Sequence, residues 1–297
     1  GTGHFTANVT NLAQGVNTLT ATSTDAAGNA TTSSVLSINV DTVAPVAPTI
    51  NTVGGANVFA NTVQLTLGGV ASDVSATVVK VSDGVTGHAA VNATYNASTG
   101  TWSADITGLN RGALTVTADV ADAANNHATV AKTVYSSIGA AVAAADAGST
   151  VTIAQGTYSG TSFAAATGTG AATVNEIIIN KGISIVGLGD GNSANGQEVI
   201  INSSAASRAF VVSGDVTNGS VAISGVKIIG GKEAVSVDGA GHVTDLGTLT
   251  VTNSTFVGQS TTGLMVELEK QGSDLRTLVV DGVVFDQSAS AGKSINI

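Results

Sequence analysis

Asp238, Glu267, Glu269 and Arg276 are the side chains of this 297-residue chain best placed to act on a polymer. Two carboxyl groups at a fixed separation can hydrolyse a glycosidic bond, one as acid and the other as base or nucleophile. Glu267 and Glu269 are two residues apart, so a strand turns them to the same side. Asp238 ends a similar apolar run one repeat earlier, which gathers a small acidic patch on one face, with Arg276 following. The ordinary alternative is that these carboxylates are solvated and serve solubility. Residues 159–297 hold no Trp or Tyr to stack a sugar ring, so the ordinary reading is preferred.

Other motifs lack the context that chemistry needs. Gly187-Leu-Gly-Asp-Gly191 is a glycine-rich run, but no helix follows to receive a phosphate. His4, His88, His127 and His242 lack metal-ligand spacing, and there is no serine nucleophile elbow.

The elements that would position the acidic patch form a repeat. Stretches beginning Ser220-Val-Ala-Ile-Ser, Thr248-Leu-Thr-Val-Thr and Thr277-Leu-Val-Val-Asp have their first apolar residues 28 and 29 positions apart. Each is a short alternating run, a turn of Ser, Asn or Asp, and a second apolar run. An offset series follows each one: Ala234–Asp238, Gly263–Glu267 and Ser294–Ile297. Self-similarity at this period, built of alternating strands, predicts a parallel β-helix with two or three strands per turn.

Composition supports stacked small strands. Hydrophobic residues are 43%, aromatics 3% and charged residues 10%, with Ala, Val, Thr, Ser and Gly dominant. The mean hydropathy is +0.34, yet no run of about 18 apolar residues exists, so transmembrane helices are rejected. Ten scattered Lys and Arg in a chain of net charge −10 exclude a basic stripe for nucleic acid. The absence of cysteine excludes disulfides and thiolate metal sites.

A longer repeat fills the first half. Thr2–Gly15 overlays Thr99–Gly112 without a gap at an offset of 97 residues, and Asp25-Ala-Ala-Gly-Asn29 falls on Asp122-Ala-Ala-Asn-Asn126. Units of about a hundred residues made of short alternating strands predict tandem β-sandwiches. Phe5 and Trp102 share a repeat position and read as core anchors. The first unit matches only the second half of the repeat, so more of the protein is expected upstream. Between the units, Asp41-Thr-Val-Ala-Pro-Val-Ala-Pro48 carries both prolines and reads as a stiff linker.

The run Ala21–Asn29 followed by Val40-Asp-Thr-Val-Ala-Pro45 resembles the bacterial immunoglobulin-like repeats of large surface adhesins. That resemblance implies calcium at the repeat junction, with Asp25, Asn29 and Asp41 as ligands; oxygen donors of this kind suit calcium. The bland alternative is a turn, which Asp, Gly and Asn favour anyway. At the second junction Asp122 and Asn126 persist, but Ile138 replaces Asp41 and no proline linker follows.

Ile138, Ala141, Val142 and Ala145 fall on one face of a short helix, with Ser136 or Ser137 to cap its start and Gly148 to end it. With Ser149–Tyr158 and Asn180–Gly189, this block resembles the opening of the pectin-lyase-like right-handed β-helix superfamily. The resemblance implies that the helix covers the open end of the stack. It also implies a polysaccharide lyase as an alternative, in which an arginine or lysine takes the proton and acids hold calcium; the solenoid offers Arg208 and Arg276. Residues 159–174, of low complexity, are expected to loop out of the first coil.

The expectation is therefore an all-β chain: immunoglobulin-like β-sandwich repeats followed by a right-handed parallel β-helix with a short capping helix. Residues 1–41 would be the C-terminal half of one repeat, 42–136 a full repeat and 137–297 a truncated β-helix. The function expected is structural or adhesive, in an adhesin, surface layer or filament outside a bacterial cell. Self-association is the expected partnership, with no nucleic acid and calcium as the cofactor. The alternatives are a polysaccharide lyase or hydrolase, or a glycan-binding β-helix, using the face of Asp238, Glu267, Glu269 and Arg276.

Overall fold

A computed structural model describes residue 4 and residues 6–160, 163, 176–189, 198–213, 216, 219–238, 245–268, 274–288 and 291–297. Phe5, His242, Glu269 and most of the 159–174 stretch lie outside these residues. The fold is all-β with almost no helix. It divides into two compact units, the first made of residues 1–48, 69–77 and 119–129, the second of 49–68, 78–118 and 130–297.

In the first unit, Gly15–Leu19 pairs antiparallel with Leu36–Val40, and Thr22–Thr24 with Ala30–Thr32. Between the latter pair runs the Asp25–Asn29 turn. Its side chains are mostly exposed, among them Val16, Val35 and Leu36.

Two four-stranded sheets dominate residues 49–135. One has the order Thr49–Thr52, Thr62–Gly68, Thr101–Asp105, Thr94–Asn96; the other has His127–Tyr135, Ala113–Asp122, Val74–Ser82, Val91–Asn92. Alternation along Thr62–Gly68 turns Val63 and Leu65 into a core with Val81, Ile106, Leu114 and Val116, while Thr62 and Gln64 face out. Trp102 is only partly buried. It packs against this core beside Tyr95, their ring centroids 5.0 Å apart.

From Thr150 onward the chain forms a parallel β-solenoid of three five-stranded sheets. The first sheet stacks Thr150–Ile153, Ser184–Gly187, Ser220–Ser224, Asp245–Thr252 and Asp274–Asp281. The second stacks Gly156–Ser159, Val199–Ser203, Lys227–Gly230, Thr255–Val257 and Val284–Asp286. Ile177–Ile179, Arg208–Val212, Glu233–Asp238, Thr262–Glu267 and Lys293–Asn296 make the third.

Registers put like on like. Val151, Ile185, Ile223, Val251 and Val280 form one inward column, and Tyr158, Ile201, Ile228, Phe256 and Phe285 a second. A third runs through Ile177, Phe210, Val235, Leu264 and Ile295. Each fully buried side chain of this size contributes roughly 1.5–3 kcal/mol, so these columns are the main source of solenoid stability. The corner between the first two sheets needs a left-handed residue, and Gly225, Asn253 and Gly282 meet it in successive coils with φ of 69°, 48° and 62°.

The open end of the first coil is covered twice. The helix Ile138–Ala144, its start capped by the Ser137 hydroxyl accepting from Ala140 N–H, buries Ile138, Ala141 and Val142 in the solenoid core. Segment 57–60 adds a further rung. Asn57 and Val58 N–H donate to Thr152 O, Ala154 N–H donates to Val58 O, and Phe59 N–H donates to Tyr135 O. The Asn57 side-chain oxygen accepts from Thr152 N–H at 2.8 Å, and the Tyr158 hydroxyl donates to Val58 O at 3.2 Å. Val58, fully buried, sits in the solenoid core, while its neighbour Phe59 sits in the core of the antiparallel sheets. Side-chain alternation along one short segment thus joins two cores.

Candidate functional site

The register sets Asp238 opposite Glu267, at the ends of adjacent strands of the third sheet. Nothing is described of the Asp238 side chain; Glu267 is half-buried. At the start of the first sheet, Asp245 lies opposite Asp274, and Arg276 reaches both. Its Nη2 donates to Asp245 Oδ1 at 3.3 Å and its Nε to Asp274 Oδ2 at 3.1 Å. The bond to Asp245 crosses to the neighbouring coil. The arrangement joins coils more readily than it does chemistry.

The same device recurs. Glu176 accepts from Arg208 backbone N–H, Nε and Nη2, at 3.0–3.1 Å, and Lys227 Nζ lies 3.4 Å from Glu198. These pairs link coils one and two in the third sheet and coils two and three in the second. Sequence reading missed Asp245, Asp274, Glu176 and Glu198 in this role. For Glu176, Glu198 and Asp245, separations of 29–32 residues from their cations, close to the repeat period, were the available signal; Asp274 is only two residues from Arg276.

Asp25 and Asn29 are brought together as a hydrogen-bonded turn. Asp25 Oδ1 accepts from Ala27 and Asn29 N–H at 2.9 and 2.8 Å, and Oδ2 accepts from the Asn29 amide at 2.9 Å. Hydrogen bonds from the Asn29 side chain and then its backbone hold the Asp25 carboxyl below the usual carboxylate range. Asp41 has partners of its own. Its Oδ1 accepts from Gln14 Nε2 at 2.8 Å, and its backbone oxygen from Asn126 Nδ2 at 3.1 Å. Asp122 and Asn126 repeat the Asp25 turn bond for bond, at 2.8, 2.9 and 2.8 Å, with Asn125 left-handed where the first copy has Gly28. Among the described residues no three of His, Cys, Asp and Glu converge on one ion. Asp25 Oδ2 accepts one bond only, which leaves a lone pair that a cation could use.

No protein-family model matches the sequence, and no curated protein matches it. Among solved structures, pectate lyase PelI from Erwinia chrysanthemi, in complex with tetragalacturonic acid, is similar over 79% of this chain and 97% of its own. The identity is 12% and the TM-score 0.19, too low to transfer a residue's role.

Proposed function

We propose that the chain is a non-enzymatic structural or adhesive segment of a large secreted bacterial surface protein. In this reading, immunoglobulin-like repeats run into a right-handed, pectin-lyase-like β-helix outside the cell. The observation that carries it is the 57–60 rung: backbone hydrogen bonds and a shared buried segment join the sandwich to the first coil, where an enzyme with a delivery module would manage with a linker. The ion pairs point the same way, since they spend Arg208, Lys227 and Arg276 on holding coils together. No helix among the described residues is long and apolar enough to cross a membrane.

Self-association into an array or filament is the partnership proposed. Concentration-dependent regular assemblies in electron micrographs are the expected result. Release of unsaturated or reducing sugars from a polysaccharide panel, abolished by Glu267→Gln or Arg276→Ala, would instead establish an enzyme.

Calcium enters the proposal as a stiffener at Asp25, Asn29 and Asp41. With only two carboxylates and one amide as ligands, affinity is expected in the weak range of extracellular modules, roughly 0.1–1 mM. Millimolar calcium should raise the melting temperature by a few degrees in the parent and not in Asp41→Ala. An identical response in both would remove the metal from the proposal.

A further inference from the structure

Beside the 57–60 rung lies a cleft of about 440 Å³, within the usual range for small-ligand sites. We propose that it binds one neutral sugar unit, a hexose or N-acetylhexosamine. This goes beyond the structural role above and does not depend on it.

Two outward strand faces make the walls. Alternation puts Thr62 and Gln64 on the outside of the sandwich sheet, and Thr157 on the outside of the second solenoid sheet, next to inward Tyr158. The faces approach closely because Gly156 has no Cβ; one built there would stand 3.1 Å from the Ala60 Cβ. Val53, Ala154 and Leu188 supply apolar surface. Asn61 and Gln155 complete the rim, each with half of its amide engaged: Asn61 Oδ1 accepts from Arg111 Nη2 at 3.0 Å, and Gln155 Nε2 donates to Leu188 O at 3.3 Å.

What is left open defines the ligand. Asn61 Nδ2, Gln155 Oε1, the Gln64 amide and the Thr62 and Thr157 hydroxyls have no protein partner among the described residues. They offer both donors and acceptors around an apolar surface, matching a ring that carries hydroxyls on its edge and C–H groups on its face. No carboxylate, ammonium or guanidinium lines the cleft. An amino sugar would lose hydration there without gaining an ion pair, and a net charge of −10 disfavours an acidic sugar.

The test is saturation-transfer-difference NMR and calorimetry on the full 297-residue chain. The probes are glucose, galactose, mannose, N-acetylglucosamine and their disaccharides, with galacturonate and glucosamine as charged controls. A neutral sugar should bind, with transfer strongest at ring C–H protons. Gln64→Ala and Thr157→Ala should each weaken binding roughly two- to tenfold, the effect of one neutral hydrogen bond. Both side chains are exposed, so the melting temperature should not move. No binding by any neutral sugar, unchanged affinity in both variants, or tighter binding of either charged control would overturn the proposal.

Discussion

Asp83 accepts from the N–H groups of Val85 and Asn110, Asp105 from Thr107, and Asp122 from Ala124 and Asn126. In the solenoid, Glu176, Glu198 and Asp245 instead face cations 29–32 residues further along. The contrast follows from topology. An antiparallel sheet reverses its chain at tight turns, whose unpaired N–H groups a nearby carboxylate can satisfy. A parallel solenoid returns each position above its equivalent one coil later, so a charge meets its partner on the next coil. Asp286, bonded to Ser288 within a solenoid turn, shows that the local device works wherever a turn is tight.

The 57–60 rung is where these two regimes meet, and breaking it should have the largest effect. Val58 is fully buried in the solenoid core. Val58→Asp would place an unpaired carboxylate there, at a cost of about 3–5 kcal/mol. If the cores are joined, urea unfolding followed by Trp102 fluorescence and by far-ultraviolet circular dichroism should shift together. A Trp102 transition left at its parent midpoint would show two independent cores. Val58→Ala should act in the same direction by about 1–2 kcal/mol.

Next in size is the coil-to-coil pairing, which can be graded by burial. The side chains of Glu176 and Arg208 are 10% and 25% exposed, those of Asp245 and Arg276 29% and 52%. Glu176→Ala should cost about 2 kcal/mol, because it removes charge-assisted hydrogen bonds made largely out of water. Arg276→Ala should cost less than about 1 kcal/mol, since exposed pairs are screened. Chemical denaturation of the two variants side by side gives the comparison. Equal costs would mean that burial does not grade these pairs.

Much of this was legible beforehand, for identifiable reasons. The spacing of Val221, Leu249 and Leu278 predicts a stack, and registers between Val221 and Leu249 and between Leu249 and Leu278 realise it. The offset of 97 predicts equivalent turns, and Asp25–Asn29 and Asp122–Asn126 carry the same hydrogen bonds. The rung was not legible. Ala56-Asn-Val-Phe-Ala60 reads as one more short sandwich strand, and its partner Thr152 lies 95 residues from Asn57 with no repeat to announce the pairing. The acidic patch was legible only in part: strand alternation could place the acids, but it could not show that Arg276 is held between Asp245 and Asp274.

The smallest expected effect concerns acid. Backbone donation from Asn110 and then Val85, followed by the His88 side chain, holds Asp83 at about 2, against an ordinary value of 3.8. A carboxylate depressed on folding adds stability above its unfolded pKa and loses it as pH falls through the folded value. The contribution is therefore complete at neutral pH and disappears between about pH 4 and pH 2. Asp25, Asp105 and Asp122 are lowered for the same kind of reason, chiefly hydrogen bonds from Asn29, Thr107 and Asn126. Melting curves across this window should fall more steeply for the parent than for Asp83→Asn, which has no proton to take up there. Because Asp83 bonds both its own loop and Asn110, and the cores are joined, the lost stability should register in the shared transition by Trp102 fluorescence and circular dichroism alike. Parallel slopes for parent and variant would detach this turn from the acid response and leave the remaining turn carboxylates to account for it.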